Sequence, residues 1–518
     1  MIIKLVGAIN DLLWGDLIIL EFSGGEVQFG LSLLVLILIP AGLYFTFKTK
    51  FLPFRLFPEM IRVTLEKDEA KKDENSISGV QALIVATATR VGMGNLAGVV
   101  AAISFGGAGA VFWMWLTALI GSSSSFVEST LAQIYKEKDP LYGGYRGGPT
   151  YVMDRIRLVT KIKREDVFVK NVKEEAEYVA DDEQTYYTRG CKYGLLGTAF
   201  ALSGLLCWAG ISQVIGNSVT TSFQNAFGIP QVATATILVA MSAVIVLRKN
   251  ATVKVLDMVV PVMAGAYFLV TLFVIIKNIT LLPSVIGNIF SQAFGIRQFA
   301  GGGLGVIVMN GVKRGLFSNE AGSGSAPCAA AAAEVSHPVK QGLIQALGVF
   351  IDTLVICSCS AFLMLLAPAE KIEGLMGMDL LQAAMNHHLG YAGVVFIAVV
   401  LFLFSILYYA RCNVSYVFGD TWKAQTGYKI FLLIMLFIGG VAAYEFVWEL
   451  GDLGVGLMTV FNMIAIVPLS GQAINALKDY ETNYKKKKEI LKIYKSQRKK
   501  SIRTFAHMTP YEDWTTAK

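Results

Sequence analysis

The chain has 518 residues, 54% apolar and 16% charged, with a formal net charge of +7 at pH 7, whereas a soluble domain carries about 25% charged residues. So little charge cannot coat the three or four soluble cores that this length would otherwise suggest, and lipid must serve as part of the solvent. The positive balance does not indicate nucleic acid, because the 45 Lys and Arg avoid the apolar runs and gather in a few connecting stretches. Six Cys, mostly in apolar segments, and four His without ligand spacing make neither a disulfide framework nor a metal centre.

Residues 1–29 alternate short apolar pieces with Asp11, Asp16, Glu21 and Glu26 and lack the order of a cleaved signal, so they read as an extracellular or interfacial amphipathic segment. Crossing the hydrocarbon core takes about 20 mostly apolar residues. Such stretches fall near 30–47, 79–105, 109–134, 193–222, 230–247, 254–276, 299–333, 341–367, 391–410, 430–447 and 453–472. They make an all-α polytopic membrane domain of 11 spans over residues 30–472. Residues 155–190 form a mixed-charge cytoplasmic insertion and 473–518 a basic tail. The Lys485–Arg503 run of that tail either contacts anionic lipid or stays solvated and fixes the topology, the plainer reading.

An odd span count puts the termini on opposite sides. With the carboxyl terminus inside, 38 of the 45 basic residues lie in inner segments, only Lys4, Lys277, Arg297 and Lys371 lie outside, and Arg90, Lys313 and Arg314 lie within spans. The amino end is therefore expected outside and the tail in the cytoplasm, in a plasma or inner membrane.

Two spans break the pattern of a lipid-facing helix in the same way. The second reads Ala86-Thr-Ala-Thr-Arg-Val-Gly-Met-Gly-Asn95 and the seventh Gly315-Leu-Phe-Ser-Asn-Glu-Ala-Gly-Ser-Gly-Ser-Ala-Pro327. Glycines there permit unwinding, and Asn95, Asn319, Glu320 and the serines are polar at mid-membrane depth, where irregular backbone survives only if it lines a cavity. Close helix packing explains Gly98, Gly106, Gly109 and the Ala329–Ala333 run, but it does not call for Asn and Glu beside the glycines. Without the first span, the other ten divide into five and five, each half opening with an interrupted helix, the inverted-repeat plan of secondary transporters. At such breaks the free N–H groups hold a carboxylate and the free carbonyls an ammonium or cation, which suits an amino acid carried with a small cation. No enzyme-type nucleophile or base constellation accompanies them.

The same residues carry a resemblance. Val91-Gly-Met-Gly-Asn-Leu-Ala-Gly-Val99, Gly106-Gly-Ala-Gly-Ala-Val-Phe-Trp-Met-Trp-Leu116, Arg146-Gly-Gly-Pro-Thr-Tyr151, Arg314 through Pro327 and Gly348-Val-Phe-Ile-Asp-Thr353 resemble the alanine or glycine:cation symporter family, over about residues 30–470. The resemblance implies a LeuT-type 5+5 inverted repeat with one extra amino-terminal helix, and sodium-coupled uptake of alanine or glycine. It makes the backbone N–H groups around Gly92, Met93 and Gly94 a carboxylate cradle and Asn95 a polar ligand beside substrate or cation. Phe317, Ser318, Asn319 and Gly322 line the other wall. The carbonyls of Ala88 and Val91, with a hydroxyl from Ser405, face a sodium ion. The sequence departs from the family where a Gln of the fourth span is Ile215, where the Thr-rich stretch and Trp of the ninth are Leu401-Phe-Leu-Phe-Ser-Ile406, and where the last span's Pro-Asn is Phe461-Asn462.

Arg90, next to the first break, needs a partner, expected in Glu128 or Glu320. A guanidinium reaching into the cation site would instead give a sodium-independent or proton-coupled carrier. Asp352 reads either as a buried, hydrogen-bonded carboxyl or as a gating group. Lys313 and Arg314 are gate residues on the permeation path, or are held by helix carbonyls; Trp113 and Trp115 are packing residues. The expected function is a symporter of a small neutral amino acid in the lipid bilayer, with a channel or a membrane amino-acid sensor as the readings from other classes.

Overall fold

The computed structural model describes residues 2–22, 27–66, 76–91, 93–141, 143–159, 194–247, 251–294, 303–404 and 411–484. Most of the 155–190 insertion and the basic run from Lys485 lie outside these residues.

The amino-terminal segment is more structured than a single amphipathic stretch. Helix α1 (Ile2–Trp14) is followed by a hairpin of β1 (Ile18–Phe22) and β2 (Val27–Leu31), antiparallel with Ile18 opposite Leu31. The runs Ile-Ile-Leu-Glu-Phe and Val-Gln-Phe-Gly-Leu favour strands, and the Ser-Gly-Gly-Glu sequence between them is of the turn-forming kind. A second, two-residue pair joins β3 (Glu137–Lys138) to β4 (Tyr145–Arg146), so two small sheets accompany an otherwise helical chain.

The rest is helical. In chain order come α2 (Leu33–Lys48), α3 (Leu52–Arg55), α4 (Phe57–Thr64) and α5 (Gly79–Val91), then a π-helical turn (Met93–Gly98), α6 (Val99–Gly106), α7 (Gly109–Ile134) and α8 (Pro149–Val159). There follow α9 (Leu195–Phe227), α10 (Gln231–Val246), α11 (Ala251–Lys277), α12 (Leu282–Phe294), α13 (Gly303–Asn319) and α14 (Ala326–Ala332). After α15 (Pro338–Val349) a second π-helical turn (Phe350–Cys357) leads into α16 (Ser358–Leu365), with α17 (Ala369–Ile372), α18 (Gly377–Leu389) and α19 (Tyr391–Phe404) beyond. The described chain closes with α20 (Arg411–Phe418), α21 (Trp422–Val441), α22 (Tyr444–Asp479) and a last π-helical turn (Tyr480–Tyr484).

Among the described residues five helical stretches are long and apolar enough to cross a bilayer: 109–134, 195–227, 338–365, 422–441 and 446–482. α11 and α12 form a further apolar pair bent by 103°, and α2, α10, α19 and the segment 94–106 are shorter apolar helices. The chain is a multi-pass membrane protein.

Several expected boundaries move. The tenth span, expected at 430–447, is α21, ending at Val441, and the connection before the last helix falls at Ala442–Ala443. Glu449 and Asp452 lower the hydropathy just where α22 continues, and that helix tolerates Asp452 because two cations meet it. The stretch 277–298, expected as a plain outer connection, contains α12, and 368–390 contains α17 and α18, helices too short for a span-length window.

Small residues set the packing around α9. A Cβ on Gly210 would overlap the Gly451 nitrogen of α22, and one on Gly454 would overlap the Cys207 backbone. On the other side, Gly439 of α21 leaves room only for Gln213, and Gly216 only for the Leu436 carbonyl. Backbones that approach this closely gain dispersion contacts that lipid cannot match, so α9, α21 and α22 form one seam.

Candidate functional site

The two interrupted spans meet. Helix α5 ends at Val91, and the chain from Met93 to Gly98 is π-helical, each hydrogen bond spanning one residue more than in an α-turn. α13 ends at Asn319, and the chain turns through residues 320–325 before α14 begins at Ala326. Gly94 faces α13 directly: a Cβ there would lie 2.5 Å from the Ser318 Cα and 2.6 Å from the Phe317 carbonyl oxygen. The Ser318 hydroxyl donates to Asn95 Oδ1 at 2.7 Å, tying one interruption to the other.

A third element joins them. The Ser318 Oγ lies 3.4 Å from Thr353 Oγ1 and 2.8 Å from Cys357 Sγ, both on the second π-helical turn. The Ser360 hydroxyl of α16 donates to the Asn95 carbonyl at 2.6 Å. Asn95, Ser318, Thr353, Asn319 and Asp352 are all 0% exposed. An amide oxygen and two hydroxyl oxygens thus converge in a dry interior, donors of the type a hard monovalent cation accepts.

The second interruption has its own support. Glu320 has φ +54°, a left-handed conformation costly for a side-chain-bearing residue, and Gly322 and Gly324 follow at φ +88° and +85°. Unwound backbone at this depth must find partners. Asn319 Oδ1 accepts the Ala321 N–H at 3.0 Å, and the Glu320 carbonyl accepts the Ser323 N–H at 3.1 Å. Glu128, on α7, accepts the Gly322 N–H at 3.2 Å and the Asn462 amide at 2.8 Å, while the same Asn462 Nδ2 donates to the Gly322 carbonyl at 2.9 Å. Ser325 donates to Glu320 Oε2 at 2.6 Å.

Beside the turn lies a cavity of about 10 Å³, room for about one water molecule. Phe317, Glu320, Ser323 and Ser325 form one wall; Cys207, Trp208 and Ile211 of α9, with Val455 and Met458 of α22, form the other. In the last turns of α13, Arg314 grips Asp452 of α22 with two bonds of 2.9 and 3.2 Å, and Lys313 reaches the same carboxylate at 2.7 Å. Arg314 lies over the Trp448 ring at 4.1 Å, and Trp448 meets Phe317 edge-on at 5.3 Å.

Of the residues expected at the site, the structure brings together Gly94, Asn95, Phe317, Ser318, Asn319, Glu320, Gly322 and Glu128. Ile215 is buried on α9 but does not line the cavity; Ile211, one turn earlier, does. Asp352 sits in the second π-helical turn, next to Thr353. Gly92, Ser405 and the side chains of Ala88, Arg90, Val91 and Met93 lie outside the described residues, and with them the pairing expected of Arg90 and the Ser405 hydroxyl. Lys313 and Arg314 are met by a carboxylate, which corrects the alternative that helix carbonyls hold them. Trp115 donates to Ser358 at 2.8 Å and Trp113 packs on Phe294, as packing residues do.

Sequence reading missed Asp452 and the supporting role of Asn462. Asp452 had a signal: two adjacent cations inside a span need a counter-ion, and a carboxylate bordering an apolar stretch supplies one. Asn462 stood at a position noted only as a departure.

The sodium:alanine symporter family model matches residues 16–163 and 167–494. The probable sodium/glutamine symporter GlnT of Bacillus subtilis is 41% identical over 493 residues, covering 94% of this chain and 92% of that protein. The amino-acid carrier protein AlsT of the same organism is 40% identical over 453 residues, 86% of this chain and 88% of its own length. The sodium/alanine symporter AgcS of Methanococcus maripaludis is 30% identical over 488 residues, 92% of this chain and 97% of its own. These relatives are transporters, not enzymes, and the chain belongs to the sodium:alanine symporter family.

Proposed function

We propose that the chain carries a small neutral amino acid, alanine or glycine, into the cell together with sodium, by alternating access. The observation that carries this reading is the junction of the two interruptions, Gly94 pressed on Ser318 and Asn95 bonded to it, because paired breaks in opposed helices are where a zwitterion finds both N–H donors and carbonyl acceptors. In this reading the N–H groups around Gly92, Met93 and Gly94 take the carboxylate, and Phe317, Ser318, Asn319 and Gly322 form the opposite wall. The carbonyls of Ala88 and Val91, with Ser405, hold sodium. The architecture is a LeuT-type five-plus-five repeat preceded by one helix, 11 spans in all, with the amino end outside and the basic tail in the cytoplasm. Room for about one water means that the walls part before an amino acid enters.

The relatives favour this reading over a channel or a sensor, since their names contain symporter or carrier. Some are named sodium/proton-dependent carriers, which keeps proton coupling as the second reading. Purified protein in liposomes, given labelled alanine, glycine or glutamine, separates the cases. Accumulation of alanine or glycine under an inward sodium gradient is expected. Equal uptake in choline under a proton gradient favours proton coupling, binding without uptake favours a sensor, and glutamine as the better substrate overturns the assignment of a small side chain.

A further inference from the structure

We infer that α1 is a latch on the charged gate above the cavity, with Trp14 as the positioning residue that holds Lys313 and α22 in the closed arrangement. The inference rests on the transport reading for its purpose but on geometry for its content. Asp452 is 3% exposed and Arg314 3%, and this one carboxylate bonds both cations, with Glu449 a further negative charge acting on Lys313 from one turn earlier in α22. Arg314 satisfies Asp452 with its planar fork, which leaves Lys313 sharing an occupied oxygen.

The Trp14 ring gives Lys313 a further contact. Lys313 Nζ lies 5.3 Å from its centroid, within the range where the negative face of an indole attracts an ammonium. The indole Nε1 donates to the Asp452 carbonyl at 3.1 Å, so one side chain touches both the cation of α13 and the helix that carries its counter-ion. The seat is shaped for it. Trp14 is 4% exposed and Leu13 3%, and a Cβ on Gly456 of α22 would come within 3.0 Å of Leu13 and 3.2 Å of Trp14 Nε1. One turn earlier, Asn10 Nδ2 donates to the Glu449 carbonyl at 2.9 Å. Past Trp14, β2 reaches the start of α13, where Gly305 abuts the backbone of Gly30. The amino-terminal segment therefore grips both helices that the gate joins. The route inward is short: Arg314 stacks on Trp448, Trp448 meets Phe317, and Phe317 is a wall of the cavity. The family match begins at residue 16, just after α1 ends.

Cys207, which lines the cavity, reports the gate. A variant retaining only this cysteine, purified in detergent, is treated with a charged methanethiosulfonate, and the rate of modification measures how often the cavity opens. Trp14→Ala is expected to raise that rate about tenfold, the ratio that a free-energy change of about 1.4 kcal/mol produces. Lys313→Met removes the ammonium that the ring faces, so Trp14→Ala should raise the rate by a smaller factor in the Lys313→Met background than in the parent. An unchanged rate in Trp14→Ala, or full additivity of the two substitutions, overturns the latch. If Trp14→Ala does not fold, Trp14→Leu at the same seat decides by the same two readings. Labelling needs neither substrate nor sodium, so loss of the transport reading in liposomes and loss of the latch are separate results.

Discussion

Gly94 has no space for a side chain, and this makes it a stricter residue than a carboxylate cradle alone requires. Its missing Cβ would fall 2.5 Å from the Ser318 Cα, against backbone that cannot swing aside. Gly94→Ala should force the two interruptions apart, break the Ser318–Asn95 bond and leave buried polar atoms without partners, at about 1–3 kcal/mol for each lost bond. A lower melting temperature together with abolished sodium-driven uptake is the expected outcome; uptake within twofold of the parent would show that the close approach is dispensable. The glycine itself was legible from sequence, because a flexible residue beside Asn95 at mid-membrane depth signals a break. What it touches was not. Contact between residues 94 and 318 is a property of how two distant helices cross, and no local pattern encodes it.

At the scale of elements, the second interruption was read more fully than the first. Gly322 and Gly324 do take positive φ, as their place among Ser and Glu suggested. The π-helical form of the first, and the second π-helical turn at Phe350–Cys357, left no periodic mark in the sequence, since one extra residue per turn shifts a buried face without changing its composition.

Helix starts follow recognisable chemistry. α15 is capped by His337, whose Nδ1 accepts the Val339 N–H at 3.2 Å while Nε2 lies 3.4 Å from the Asp479 carboxylate. Burial pushes this imidazole down to about 4, against the pull of Asp479 and with help from Lys340. The unfolded chain therefore binds the extra proton between about pH 4 and 6.5, so native stability falls as the pH drops through that window. Thermal melts in detergent between neutral pH and pH 4 should show a loss on the order of 3 kcal/mol for the parent. His337→Gln, which still offers the Val339 N–H an acceptor, should flatten the dependence. An equally steep pH profile in that variant would assign the acid sensitivity to other groups.

Across the whole molecule, composition and the distribution of Lys and Arg announced a multi-pass membrane protein, and the pair of polar breaks marked the segments that meet at Gly94 and Ser318. The closures at the two ends of the bundle were less legible, because each is assembled from residues far apart in sequence. At one end Asp452 gathers Lys313 and Arg314. At the other, Lys340 pairs with Glu66 at 3.0 Å, Tyr480 donates to Glu59 at 2.7 Å, and Ser76 donates to Glu334 at 2.7 Å. Hydropathy treats every such charge as a penalty, whereas the fold gives each of them a partner.

The glycine-lined seam between α9, α21 and α22 has a mechanical consequence. With α21 and α22 each pressed backbone to backbone on α9, neither can slide along it without overlap, so the three are expected to move as one plate, and in the proposed transport cycle the strain of admitting cargo falls on the broken helices that lean on it. Tyr428 of α21 already reaches across the plate to the Leu205 carbonyl at 2.7 Å, whereas Phe317 only rests on it at Gly451. A short thiol-reactive staple joining Leu205→Cys to Tyr428→Cys should therefore leave liposome uptake at the rate of the unstapled variant. The same staple between Phe317→Cys and Gly451→Cys should freeze the carrier, and its reductive release should set turnover going again.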